Sequence, residues 1–303
     1  VNDDNDPMDD YFHGTHCAGT IAAKGNNNIG VTGVSWNARI IPIKFLNVNG
    51  RGYTSDAIAA INYAISVNAQ LTNNSWGSEY ESLALKETIE RAREAGQLFI
   101  TSAGNDYLRN IDTSPVFPAA YDCENIITVA AINKDDLIAD LSNVGIQSVD
   151  LGAPGFAIYS TMPTFETQGI KVEMLRTNYD FLKGTSMAAP HVAGVASLVW
   201  SIAPELPWQD VKRTILDSVV PTPALNGQVL TGGRLNAFNT MINVPAIAVI
   251  NFNPHDNVSG NYDEVINPGE VISIDIDIKN VKLNSKTQVS AILSESDPHI
   301  FMM

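Results

Sequence analysis

Hydrophobic positions along the chain fall into two regimes. Through residue 243, short apolar runs alternate with segments whose apolar residues recur at helical spacing. Residues 39–46, 70–75, 97–101, 125–131 and 157–161 read as strands. The spacing predicts helices over 13–23, over 57–65 behind a Ser55-Asp56 cap, over 83–95 closed by Gly96, over 209–218, and over a small-residue stretch that opens beside Ser186 and ends at Trp200. Strands alternating with helices in this way specify an α/β fold, a parallel sheet covered by helices on both faces. From residue 244 to 303 helical spacing is lost. Residues 271–279 alternate strictly, with Ile272, Ile274, Ile276 and Ile278 on one face. With a turn at 267–270 and a further strand at 287–293, this reads as the start of a small all-β, sandwich-like domain, truncated before it closes. The expected division is therefore 1–243 and 244–303.

Composition narrows the function without altering that picture. Of 303 residues 45% are apolar, ample for a core. A net charge of -15 argues against nucleic acid or an anionic membrane as partner, and suits calcium. No apolar run reaches the ~18 residues of a membrane span. Cys17 and Cys123 are too few for a disulfide scaffold, and each sits among apolar neighbours as a small buried thiol does. The acidic loop over 1–10 starts with Val1 rather than Met, so the chain reads as a piece whose own N-terminal part lies upstream.

Candidate chemistry is confined to a few short stretches. In Gly184-Thr185-Ser186-Met187-Ala188-Ala189-Pro190-His191 a Gly-Thr turn leads Ser186 into a helix start. Unpaired N–H groups and the positive dipole end there suit an alkoxide and a developing oxyanion, although Ser is also an ordinary N-cap. His13-Gly14-Thr15-His16 opens another small-residue helix. Two histidines three apart lack the Glu and third ligand of a zinc site, which leaves His13 as a general base and His16 as a packed structural residue. Asn105, following Gly104 at the end of the 97–101 strand, stands where open sheets place ligands, or forms a plain turn. The Gly/Asn-rich loop over 24–31 presents oxygens of the kind calcium takes.

In this order, His13-Gly14-Thr15-His16, Asn74-Ser75-Trp76-Gly77, Ala103-Gly104-Asn105 and the Ser186 stretch closely resemble the subtilisin-like serine proteases over residues 1–243. The resemblance implies that Ser186 is the nucleophile of a serine endopeptidase and His13 its base. It implies an oxyanion hole from the Asn105 amide and the Ser186 N–H. Ser75, Trp76, Gly77, Ala103 and Gly104 would then wall the pocket for the residue before the scissile bond, with a polypeptide substrate laid alongside as an extra strand. Asn27, Ile29 and Val31 become ligands of a structural calcium, the first through its side chain. A secreted or cell-surface monomer, made with an N-terminal pro-segment, is also implied.

Three features depart from the family pattern. Its triad Asp ends a strand upstream of the His motif, and only twelve residues precede His13; the acidic cluster between Asp3 and Asp10 is too near in sequence to supply it. The 303-residue chain alone is thus expected to be nearly inactive. Residues 162–183 are longer than the family pattern leads one to expect and are expected to form a hairpin near the leaving-group side of the cleft. Cys17 stands where many relatives carry Val. An α/β-hydrolase esterase is excluded by Ala188, where Gly is needed, and by a His that precedes the Ser. The alternative from another class is a non-catalytic peptide-binding protein on the same fold.

Overall fold

The computed structural model describes residues 6–163, 178–245, 247–259 and 271–280. The chain divides into two units, Val1–Val244 and Pro245–Met303.

In the first unit a sheet of six strands runs in the order β1-β2-β3-β4-β8-β7. Four parallel neighbours make its body: β1 (Leu71–Asn74), β2 (Leu98–Ser102), β3 (Ile126–Ile132) and β4 (Leu151–Pro154). Short strands β7 (Val220–Pro221) and β8 (Gly233–Arg234) complete it, β8 parallel to β4 and β7 antiparallel to β8. Every residue of β2 and β3 is buried, as continuous apolar runs covered on both faces must be. On one face Phe99 and Ile126 pack with Leu85, Ile89 and Ala92 of α3 (Leu83–Glu94) and with Ile61 of α2 (Thr54–Ser66). Helix α4 (Thr185–Ile202) covers the opposite face, lying against β1 to β4. It also packs on α1 (His13–Ala22) and α5 (Trp208–Leu216).

The local signals work as the sequence implies. Ser82 caps α3 by accepting from the Leu85 N–H at 3.3 Å, and Gly96, at φ 81, turns the chain out toward β2. Asp56, rather than Ser55, satisfies the start of α2, its carboxylate accepting from the Tyr53 N–H at 3.3 Å. β5 (Ile158–Thr161), the strand just before the 162–183 insertion, pairs antiparallel with β6 (Tyr179–Leu182) at the insertion's far end; the hairpin expected within the insertion itself falls largely on residues 164–177, outside the described residues.

One predicted strand does not form. Residues 39–46 have a strand's composition but make no ladder, because an apolar run becomes a strand only where a neighbour takes up its N–H and C=O groups, and none does among the described residues. Ile40 and Ile41 are each 40% exposed as a result. The segment is anchored instead through side chains, Lys44 to Asp10 at 2.8 Å and Phe45 edge-on to Trp76.

The second unit contains a short helix-free sheet, β9 (Ile247–Ser259) antiparallel to β10 (Val271–Asn280). β10 lies where strict alternation predicts it. The turn at 267–270 and the strand at 287–293 fall outside the described residues, and two strands do not amount to a sandwich.

Ile89 has no exposed surface and joins α3 to β2. Ile89→Ala is expected to cost about 2–5 kcal/mol, the range for emptying a packed core position. A urea midpoint unchanged from the parent would contradict this packing.

Candidate active site

Because β1 and β2 are parallel, with Asn74 opposite Thr101, the chain leaves both at the same end of the sheet. It leaves β1 into Ser75 and β2 into Ala103, and the start of α4 arrives beside both. Thr185 Oγ1 accepts from the Gly104 N–H at 3.1 Å, and Ser75 Oγ donates to the Ser186 carbonyl at 2.9 Å. This is the carboxyl end of the strands, where open α/β sheets hold ligands.

Gly184, at φ 151, is the N-cap of α4, so Ser186 is the second helical residue and not the cap. From 184 to 190 every residue is buried except Ser186. Four residues further on stands Pro190, which has no N–H to return to the Ser186 carbonyl. That freed oxygen takes two side-chain donors instead, the Ser75 hydroxyl and, at 3.3 Å, the Cys17 thiol. A gap in the helix's own ladder thereby fastens α4 to the end of β1 and to α1. The Ser186 hydroxyl itself points to the Ser75 carbonyl at 3.4 Å.

Asn105 is exposed, with a fixed side chain. Its Oδ1 accepts from the Thr185 N–H at 2.9 Å and from Thr185 Oγ1 at 3.1 Å. A Cβ on Gly184 would lie 3.4 Å from Asn105 Nδ2 and 3.7 Å from the Ser186 nitrogen. Asn105 Oδ1 would lie at 3.5 Å from the same Cβ, so the Asn105 amide and the Ser186 nitrogen both border the space that glycine leaves free at the start of α4.

His13 begins α1. Asp9 organises this start: its Oδ1 accepts from the Tyr11 and Phe12 N–H groups, both at 2.9 Å, and its Oδ2 from the Thr15 N–H and hydroxyl, both at 2.7 Å. These bonds hold Phe12 at φ 85, a left-handed conformation that costs a bulky residue about 1–3 kcal/mol. Burial holds the His13 imidazole below its usual pKa; Asp9 pulls the other way and His16 adds to the lowering. No hydrogen bond joins His13 to Ser186 among the described residues. Cys17 lies between them, its Sγ 4.0 Å from His13 Nδ1 while its proton goes to the Ser186 carbonyl. Burial pushes that thiol up to about 12, so Cys17 is a neutral donor and not a nucleophile. His16 is fully buried, and its Nε2–H donates to the carbonyls of Ile158 at 3.0 Å and Asp180 at 3.2 Å, pinning the β5–β6 hairpin to α1. It is structural.

A model of the Subtilase family matches residues 1–240. The chain belongs to the subtilase family. It is 36% identical over 252 residues to Subtilisin-like protease 1 of Plasmodium falciparum (isolate 3D7), a match covering 77% of this chain and 35% of that protein. Against the Thermophilic serine proteinase of Bacillus sp. (strain AK1) the identity is 34% over 242 residues, covering 80% of this chain and 55% of that one. Subtilisin-like protease 1 of Plasmodium vivax matches at 34% over 274 residues, with 82% and 41% covered. The chain thus spans from a third to just over half the length of these relatives.

The subtilase fold also gathers the other predicted residues. Ser75, Trp76 and Gly77 follow β1, and Ala103 and Gly104 follow β2, so both segments flank Ser186. Trp76 is half-buried, its Nε1 donating to Asn74 Oδ1 at 3.2 Å. The loop over 24–31 lies in a different part of the chain path. Asn26, Asn28 and Gly30 all have φ between 56 and 59, and Asn27 Oδ1 accepts from the Ile29 N–H at 3.0 Å. That oxygen keeps a second lone pair, and the carbonyls of Ile29 and Val31 are of the type calcium accepts. Three neutral oxygens fall short of the about six to eight that the ion takes, so they fit as part of a ligand set. No group of three or more His, Cys, Asp or Glu residues suited to a metal occurs among the described residues. Sequence reasoning missed three contributors: Thr185, Asn143 behind the Asn105 loop, and Pro190, whose position four residues after the Ser is a readable sign of a freed carbonyl.

The His13 environment generates a pH prediction. Since burial outweighs Asp9, the ring is expected to titrate below 6.5, and Asp9→Asn, which removes a raising influence, should lower it further. Ring-proton NMR across pH 4–8 reads both; a His13 midpoint above 6.5, or one raised by the substitution, would contradict the electrostatics described.

Proposed function

We propose that these residues form the catalytic apparatus of a serine endopeptidase that hydrolyses peptide bonds in polypeptides. The observation that supports it most is that the Asn105 amide, fixed by Thr185, and the Ser186 nitrogen border one space left free by Gly184 at the start of the helix that carries Ser186. A carbonyl oxygen seated there turns into an oxyanion when the hydroxyl adds to its carbon, and both donors strengthen as charge develops. His13, neutral at pH 7 because its pKa is lowered, accepts the hydroxyl proton and returns it to the leaving amine. Water then repeats the sequence on the acyl-enzyme. Substrate lies between the Ser75–Gly77 and Ala103–Gly104 segments as an added strand.

Asp9 is not assigned as the third member of a Ser-His-Asp triad. Asp9 acts on His13, but its two oxygens are already taken up with the turn and helix start. An orienting Asp is worth about 10⁴ in turnover in such enzymes. The resemblance further supports a secreted or cell-surface monomer made with a pro-segment. Among the described residues no helix is long and apolar enough to cross a membrane.

A fluorophosphonate probe tests the assignment, since it needs the activated hydroxyl and not efficient turnover. Labelling should map to Ser186, vanish in Ser186→Ala and fall at least 10²-fold in His13→Ala. A second reading, peptide binding without catalysis, draws on the Ser186 hydroxyl pointing to the Ser75 carbonyl rather than to His13; peptide binding with an unlabelled Ser186 would establish it and remove the protease assignment.

For calcium, the proposal is a structural ion held in part by Asn27, Ile29 and Val31. Millimolar calcium should raise the melting temperature of the parent and leave that of Asn27→Ala much less changed. Equal shifts in both would place any bound ion elsewhere.

A further inference from the structure

Asn143 has no exposed surface and lies in the connection between β3 and β4, far in sequence from every predicted site residue. All its side-chain hydrogen bonds go to the segment that carries Asn105. Its Nδ2 donates to the Ala103 carbonyl at 3.0 Å and to Asp106 Oδ2 at 2.9 Å, and its Oδ1 accepts from the Asp106 N–H at 2.8 Å. Its own backbone N–H donates to the Gly104 carbonyl at 3.0 Å. These four bonds grip the chain on both sides of Asn105 and leave Asn105 itself untouched. The approach is close enough that a Cβ on Gly104 would sit 2.4 Å from Asn143 Nδ2, which accounts for glycine there, at φ 99.

Asn143 is itself rigidly mounted. Ser142 Oγ accepts from the Ala131 N–H of β3 at 2.9 Å and donates to the Asn143 carbonyl at 3.0 Å. Beyond Asp106, Tyr107 and Leu108 both adopt left-handed conformations, at φ 57 and 62, and their N–H groups are tied to the carbonyls of Leu141 at 3.2 Å and Ser142 at 3.0 Å. A strained loop is thus strapped at several points to the β3–β4 connection through Leu141, Ser142 and Asn143.

We propose that Asn143 is a positioning residue for the oxyanion donor: it fixes the backbone of Asn105 while Thr185 fixes the Asn105 side chain, so that Nδ2 is aimed before substrate arrives. The inference rests on the serine-protease reading given above. Its chemical logic is that a donor stabilises an oxyanion only if it is already oriented, and a displacement of about 1 Å can cost on the order of 10²-fold in rate.

The test introduces Asn143→Ala into the parent and into the Asn105→Ala background, using the rate of Ser186 phosphonylation by a fluorophosphonate and kcat and KM for a peptide ester. Asn143→Ala is expected to slow phosphonylation and kcat by about 10-fold to 10²-fold with KM nearly unchanged. In the Asn105→Ala background, where no side-chain amide remains to aim, the same substitution should have little further effect. If Asn143→Ala does not fold, Asp106→Ala, which removes the Asp106 carboxylate that accepts one of the four bonds, is put through the same cycle with a smaller loss expected. A folded variant with the parent's rates, or an equal loss in both backgrounds, overturns the positioning role while the protease reading stands. A parent whose Ser186 is never labelled removes the protease reading and this inference together.

Discussion

The arrangement of this site depends on one carbonyl that its own helix cannot satisfy. An α-helix normally returns the N–H of residue i+4 to the oxygen of residue i, and Pro190 withholds it from Ser186. An orphaned buried carbonyl costs about 1–3 kcal/mol unless another donor reaches it. Here the donors come from the end of β1, through Ser75, and from α1, through Cys17. The missing helix bond is therefore what brings three separate elements together at Ser186. It also explains why a thiol is suited to that place on α1: a side chain without a proton to give would leave one of the two positions at the oxygen unfilled.

Much of the fold can be read from the chain, and the exceptions have physical causes. Helix α3 is legible because apolar spacing, the Ser82 cap and the Gly96 exit agree with one another. The strands β2 and β3 are legible as uninterrupted apolar runs. Residues 39–46 mislead because composition reports what a segment would gain by pairing and not whether a partner is present. β9 is hidden for the opposite reason: Pro254 and the asparagines around it obscure alternation in a segment that nevertheless pairs along its length with β10.

For the site, the sequence shows which residue types lie at turns but little of what holds them. Ser186, His13 and Asn105 stand out because each follows a helix or strand boundary. Their supports do not, since they act across long separations. Thr185 reaches Asn105 across 80 residues, and Asn143 reaches Asp106 across 37. Nothing in the local sequence around Asn143 marks it, because an Asn in a turn is common and only the tertiary fold brings the Ala103–Asp106 backbone over it.

The same division appears in the charges. Asp9, His13 and His16 fall within eight residues, and already in the sequence His16 reads as structural while Asp9 stands too near His13 to be its triad partner. Burial separates them. His16 is spent on two carbonyls of the β5–β6 hairpin, and Asp9 on four donors at the start of α1, which leaves His13 as the group of the three with a ring near the Ser186 segment. On the proposed reading His13 is a base, which must be neutral to accept a proton, and burial favours the neutral ring against the opposing pull of Asp9. An additional carboxylate facing the ring would work against burial by raising its pKa, yet it would also fix the ring's orientation and stabilise the imidazolium formed during reaction. These opposed requirements, neutrality at rest and charge in the transition state, are why burial and an orienting acid belong together at such a site, and why burial alone supplies only the first.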